Sequence, residues 1–179
     1  MSLGNLLTLT DFYYVSTDSN TYLLMKRDNE AAKALHTAFD IRMEYAHLGL
    51  TESHDSLQQM MNLINMLLLA KDVDNAKIVL EQYETLVLKH LSDTSLDYGI
   101  CKLSRGIIDM MERKPEAAEI NLLGAESIIG NAVGTDNDYM RTTYRYLNNL
   151  YARWKKPEKA IEYRDKFLGG VCEEIYVNI

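Results

Sequence analysis

Two short segments of this chain, Pro115-Glu116-Ala117-Ala118 and Pro157-Glu158-Lys159-Ala160, are near-copies placed 42 residues apart. A further step of 42 back from Pro115 reaches Val73-Asp74-Asn75-Ala76, and another puts Ala34 in the alanine slot, so Ala34, Ala76, Ala118 and Ala160 share one phase. Asp11, Ser53, Ser95 and Asn137 form a second series on the same beat. All four are good helix N-caps, whose short side chains accept a hydrogen bond from a free N–H of the first turn. A fixed period of this length is the mark of a repeat architecture and restricts the fold more than any other feature of the chain.

Each unit reads as two helices. In the last, Asn137 caps a helix from about Asp138 to Trp154, and Lys155-Lys156 supplies cations at its negative end. Pro157 opens the second helix, where its missing N–H costs nothing, and its ring turns the preceding residue away from helix. The same grammar recurs at Ser95, Lys114 and Pro115, and at Ser53, Asp72 and Val73. Apolar spacing agrees: Met60, Leu63, Ile64 and Leu67 follow i, i+3, i+4, i+7, as do Leu147, Leu150, Tyr151 and Trp154. Ala76, Val79, Leu80 and Tyr83 make the stripe of a second helix. The recurring alanine fits a close crossing within each pair. One pair cannot bury its apolar face alone, so neighbours must stack. The expected fold is all-α, an α–α superhelix of about four antiparallel helix pairs in a single domain over residues 1–179. Its units are 11–52 (degenerate, with Ser16 to Asn20 as poor helix formers), 53–94, 95–136 and 137–168. Gly169-Gly170 is expected to end the last helix and leave 171–179 as a tail.

These residues resemble the tetratricopeptide repeat (TPR) family in its 42-residue, kinesin-light-chain-like form. The likeness is strongest over Gly134 to Asn137, Tyr146-Leu147-Asn148-Asn149-Leu150-Tyr151 and Pro157 to Ala160, and it covers about Ser53 to Leu168. Leu150 to Trp154 is also similar to the repeat tails of some bacterial serine/threonine kinases. Arg105 and Asp109 depart from the pattern, standing where the family usually has Leu and Tyr, while Gly106 keeps its small-residue slot. The resemblance implies a TPR solenoid with a concave groove lined by the first helix of each unit. Carried over, the groove positions are Gln58, Met61, Asn62 and Asn65 in one unit and Arg141, Arg145, Tyr146 and Asn149 in another. A carboxamide both donates and accepts, so Asn65 and Asn149 suit a peptide backbone, and Arg145 suits a carboxylate. The plainer reading is a wet polar helix face. In the unit between, Ile100, Leu103, Ile107, Met110 and Met111 fall on groove positions, giving either an apolar floor or, after a one-residue phase slip, core.

Charge narrows the partner. A formal net charge of −7 speaks against nucleic acid. Asp138 to Leu168 nevertheless holds eight Lys/Arg against four acids, so an acidic peptide or protein face would be steered there, unless these are ordinary solvated charges. Cys101 and Cys172 make no disulfide framework and fit a reducing cytosol, with Cys101 read as a small buried hydrophobe. Met60 to Ala70, the most apolar stretch, is interrupted by Asn62 and Asn65 and is too short for a bilayer. The start of the chain lacks the cationic region of a signal peptide. The expected setting is cytoplasmic, without membrane. No catalytic constellation, cofactor motif or metal set emerges: His36, His47, His54 and His90 lack zinc-site spacing, with only a casual contact between His47 and His54 conceivable. The leading expectation is a protein–protein interaction module holding a protein or peptide partner in its groove. The alternative is the regulatory repeat domain of a larger kinase or transcription regulator. Open end faces leave stacking on a second copy open, with Tyr13 and Tyr14 as candidates for covering one of them.

Overall fold

The 42-residue beat governs the helix boundaries in a computed structural model of the chain. The structure describes residues 54–176 and, upstream, Ala34, Thr37, Asp40 and Ile41, which are helical. The expected caps Asp11 and Ser53, the Ser16–Asn20 run, Tyr13, Tyr14, His36 and His47 lie outside the described residues. Six helices follow: α1 (His54–Leu69), α2 (Val73–His90), α3 (Leu96–Met111), α4 (Pro115–Val133), α5 (Asp138–Arg153) and α6 (Pro157–Tyr176). The first helices of the pairs begin at 54, 96 and 138 and end at 69, 111 and 153, and the second begin at 73, 115 and 157. Every step is 42. The described residues form an all-α helical-repeat fold with no strand among them.

The turn inside each pair is one motif used three times. Lys71, Arg113 and Lys155, again 42 apart, all sit in the left-handed region with φ of 62°, 61° and 56°. After each, a backbone N–H reaches back five residues: Asp72 to the Leu67 carbonyl, Lys114 to Asp109 and Lys156 to Tyr151, at 2.9, 2.8 and 2.9 Å. This is the Schellman closure, which satisfies carbonyls that a helix end would leave bare. The next helix is then opened in two ways. At α2 the Asp72 carboxylate accepts from the Asn75 backbone N–H at 3.3 Å, whereas α4 and α6 begin on Pro115 and Pro157, which have no N–H to satisfy. At the entrances of α3 and α5, Ser95 and Asn137 cap as expected, accepting from Tyr98 N–H at 3.2 Å and Met140 N–H at 3.0 Å.

The chain divides into two units, Met1–Leu86 and Val87–Ile179, with the boundary inside α2. In the first, the stripes read from the sequence are buried: Met60, Leu63, Ile64 and Leu67 on α1, and Ala76, Val79, Leu80 and Tyr83 on α2. In the second, α3 packs on α4, α4 also on α5, and α5 on α6. The α3–α4 approach is set by Gly99 and Gly106, seven residues apart on one helix face. A Cβ on Gly106 would lie 2.7 Å from Cγ and Cδ2 of Leu122, and one on Gly99 would lie 2.6 Å from Cγ1 of Ile129. Where Gly106 stands in α3, α5 carries Asn148, whose amide donates to the Ala160 carbonyl at 2.6 Å. Three of the four phased alanines are enclosed, Ala76 and Ala118 at 0% exposure and Ala160 at 8%, and Ala34 is half-buried.

Two carboxylates on α4, Glu119 and Glu126, pin the last pair. Tyr151 Oη donates to Glu119 Oε1 at 2.8 Å and Lys159 Nζ donates to the same oxygen at 3.0 Å. One helical heptad later, Tyr163 Oη donates to Glu126 Oε2 at 2.8 Å and Lys166 Nζ to Oε1 at 3.2 Å. Tyr163 also stacks on Tyr151, ring centroids 5.6 Å apart.

One expectation is corrected. The last helix does not end at Gly169-Gly170 but continues to Tyr176. Glycine lowers helix propensity by about 1 kcal/mol yet keeps its N–H and C=O, so it does not interrupt the ladder as a proline would.

Candidate functional site

The residues expected to meet a partner lie on the first helices. In the first unit, Asn62 and Asn65 share α1 and are exposed, as is Gln58, while Met61 is half-buried. Gln58 Nε2 donates to Asn62 Oδ1 at 3.2 Å, so part of Asn62's capacity is already used. Asn65 makes no hydrogen bond among the described residues.

In the second unit, Arg141, Arg145, Tyr146 and Asn149 share α5. Arg145 and Asn149 are exposed and four residues apart, and Arg153, four further on, is exposed as well. Positions i, i+4 and i+8 lie on one helix face, so a guanidinium, a carboxamide and a second guanidinium run down α5. Tyr146 is half-buried beside them, with the Arg145 guanidinium 5.5 Å from its ring centroid. That contact holds the long side chain in a cation–π arrangement, and Arg145 has no carboxylate partner among the described residues. Arg141 differs. Its guanidinium meets Asp136 at 3.2 Å and Asp138 at 3.8 Å, and it is half-buried. It braces the entrance of α5, with less freedom to grip a ligand than Arg145.

The apolar stretch of the intermediate pair divides. Ile100, Leu103 and Ile107 are buried in the core, whereas Met110 is half-buried and Met111 is exposed. No phase slip is needed: α3 keeps the 42-residue register, and its larger apolar side chains are enclosed where α5 carries polar ones. Cys101 is a fully buried thiol in no disulfide, as its helical position suggested.

Two phenols of the last pair, Tyr151 and Tyr163, are hydrogen-bond donors to the α4 carboxylates. Burial and the hydrogen bond to Glu119 push the Tyr151 phenol far above its ordinary range, and burial with Glu126 does the same to Tyr163. Burial alone would raise the Glu119 carboxyl. The hydrogen bonds from Lys159 and Tyr151 and the charges of Lys159 and Lys156 outweigh it, and the net shift is downward. Among the described residues no three His, Cys, Asp or Glu side chains converge on a common point, and no helix is long and apolar enough to cross a membrane. His47, one of the pair considered for a casual metal contact, lies outside the described residues.

A cavity of about 310 Å³ that periodicity did not reveal opens in the second unit. It is bounded by the α3–α4 turn and the C-terminal end of α5, and Trp154, the only tryptophan of the chain, lines it. Sequence did hold a hint. Forty-two residues before Trp154 stands Glu112, and forty-two before Arg153 stands Met111, so this corner is written with different residues in the last pair.

No protein-family model matches the chain, and no curated protein matches it. Among solved structures it is similar to BtubC (BKLC) from P. vanneervenii, with a TM-score of 0.69 at 17% identity over 91% of this chain. The match covers 64% of that protein, so this chain spans less than two thirds of its length. At this identity the likeness speaks for the fold, and that fold is a helical repeat.

Proposed function

We propose that the chain is a protein–protein interaction module built of tetratricopeptide-type repeats, whose first helices present exposed polar faces to a peptide or protein partner. The observation that carries this reading is the α5 face. Arg145 and Asn149 stand exposed and unengaged by any carboxylate or amide among the described residues, on a helix whose opposite side is fixed by Met140, Leu147, Leu150 and Tyr151 in the core. Rigid helices presenting free polar groups bind at low ordering cost. Asn149 supplies a donor and an acceptor to a peptide backbone and Arg145 supplies a fork for a carboxylate; in the first unit Asn65, in the same repeat position on α1, offers a carboxamide of the same kind. The eight Lys/Arg against four acids between Asp138 and Leu168 favour an acidic partner. The likeness to a helical-repeat protein supports a scaffold in general terms. The cellular setting proposed is the cytoplasm, in keeping with two cysteines that form no disulfide framework.

The test is affinity capture from the native source with the intact chain and with the triple variant Asn65→Ala, Asn149→Ala, Arg145→Ala, compared by quantitative mass spectrometry. All three residues are exposed, so helicity by circular dichroism should be unchanged. The proposal expects a companion of the unaltered chain to fall by about tenfold or more in the variant. Companions retained at full yield would reject the helix-face mechanism.

A further inference from the structure

The cavity beside Trp154 has a composition unlike the helix face above it. Its walls are apolar, made by Met110, Pro115, Leu150 and Trp154, and three cations, Arg113, Lys114 and Arg153, join the lining. Lys114 is already engaged, its Nζ 2.8 Å from Glu112 Oε2. Arg113 and Arg153 are exposed and meet no carboxylate among the described residues. A further ammonium, that of Lys156, sits 3.2 Å from the centroid of the Trp154 ring. The corner is therefore positive within a chain of net charge −7, and its two unengaged cations are guanidinium groups that can grip carboxylate or phosphate through paired hydrogen bonds.

Size narrows the occupant. At about 310 Å³ the cavity stands at the lower end of small-molecule sites and is too small for a helix. We propose that it binds a small amphiphilic anion, a compact apolar body carrying one carboxylate or phosphate. The body packs against Trp154, Leu150, Met110 and Pro115, and the charged end faces Arg113 and Arg153. The same chemistry can arrive as a free amphiphile or as the terminal residue of a bound peptide. The assignment can be separated from the helix-face proposal: Arg113 lies off that face, Arg153 stands at its C-terminal end, neither is altered in the triple variant, and either reading can fail without the other.

Trp154 is both the chain's single tryptophan and a wall of the cavity, so intrinsic fluorescence reports occupancy directly. The experiment titrates the intact chain with octanoate, octyl phosphate and octanol, and with acetyl-Gly-Gly-Leu as the free acid and as its amide. Saturable changes with octanoate or octyl phosphate and not with octanol support the site for a free amphiphile. A response confined to the peptide acid, absent with its amide, supports the same site filled by a peptide end. In either case Arg113→Gln and Arg153→Gln, both at exposed positions, should each weaken binding about tenfold or more with helicity unchanged. Equal responses to charged and neutral probes, no saturable response from any probe, or unchanged affinity in both variants would overturn the proposal.

Discussion

Replacing glycine by alanine inside a helix ordinarily stabilises it, by up to about 1 kcal/mol, because alanine restricts the unfolded chain more. This chain offers two helical glycines at which the same substitution should act with opposite sign. At Gly169 in α6, a new Cβ meets nothing within 4 Å, so Gly169→Ala should stabilise by about 0.5–1 kcal/mol. At Gly106 in α3, the new Cβ would lie 2.7 Å from both Cγ and Cδ2 of Leu122 and 3.3 Å from the Leu122 backbone nitrogen. Leu122 is fully buried, so it cannot swing aside, and a Cγ clash is not relieved by turning the methyl end alone. Overpacking of this kind costs about 1–3 kcal/mol. Set against the propensity gain, Gly106→Ala should destabilise by about 1–2 kcal/mol, leaving the two variants about 1.5–3 kcal/mol apart. For a chain of this size that is roughly 3–12 °C in Tm. Urea denaturation followed by circular dichroism, with unchanged slope as the check on two-state behaviour, gives both values. A double-mutant cycle with Leu122→Ala isolates the contact, since the combined variant should recover part of the Gly106→Ala cost. If Gly106→Ala raised the midpoint as Gly169→Ala does, or if the cycle showed no coupling, the close α3–α4 approach would be wrong.

Other consequences are as specific. Lys71 holds φ at 62° without being glycine, so Lys71→Gly should relieve left-handed strain and stabilise by about 0.5–1 kcal/mol net, read by the same denaturation curves. Removing the Tyr151 hydroxyl takes one of two donors from the Glu119 oxygen; Tyr151→Phe should cost about 1–2 kcal/mol in those measurements. The Glu119 carboxyl is held below its ordinary value, so its interactions stabilise the fold above the unfolded pKa of about 4.3 and are lost as pH falls through the folded value. Glu119→Gln should therefore flatten the acid limb of a stability-versus-pH curve, and an unchanged limb would contradict the network. The phenols of Tyr151 and Tyr163 are shifted upward, so the stabilisation they give is complete below about pH 10 and is lost as pH rises toward their folded values. Absorbance titration at alkaline pH should show these two phenols ionising only as the fold opens.

The repeat was legible because its signals are local and of fixed spacing. Ser95, Asn137, Pro115 and Pro157 each act on their own first turn, and the structure uses each as the sequence suggests. The alanine phase was legible for the same reason. The left-handed turn residues were not, because Lys71, Arg113 and Lys155 carry no glycine signature; only their common distance from the following helix would have exposed them. Gly169-Gly170 misled because glycine is a frequent helix terminator but not an obligatory one. Burial of Ile100, Leu103 and Ile107 was undecidable from pattern, since identical repeat positions carry polar residues in α5 and apolar ones in α3. The Glu119 and Glu126 networks join residues 32 to 40 positions apart, and the Trp154 cavity joins α3, α4 and α5. Neither arises from periodicity, and both required the fold.

The central claim is that the exposed α5 face meets a partner, and site-specific photocrosslinking in the native cell tests it most directly. A photoreactive residue at Asn149 is compared with one at Ser127, an exposed position on α4. The account predicts a discrete higher-mass adduct from position 149 and none from 127. Adducts from 127 alone, or from neither position, would contradict it.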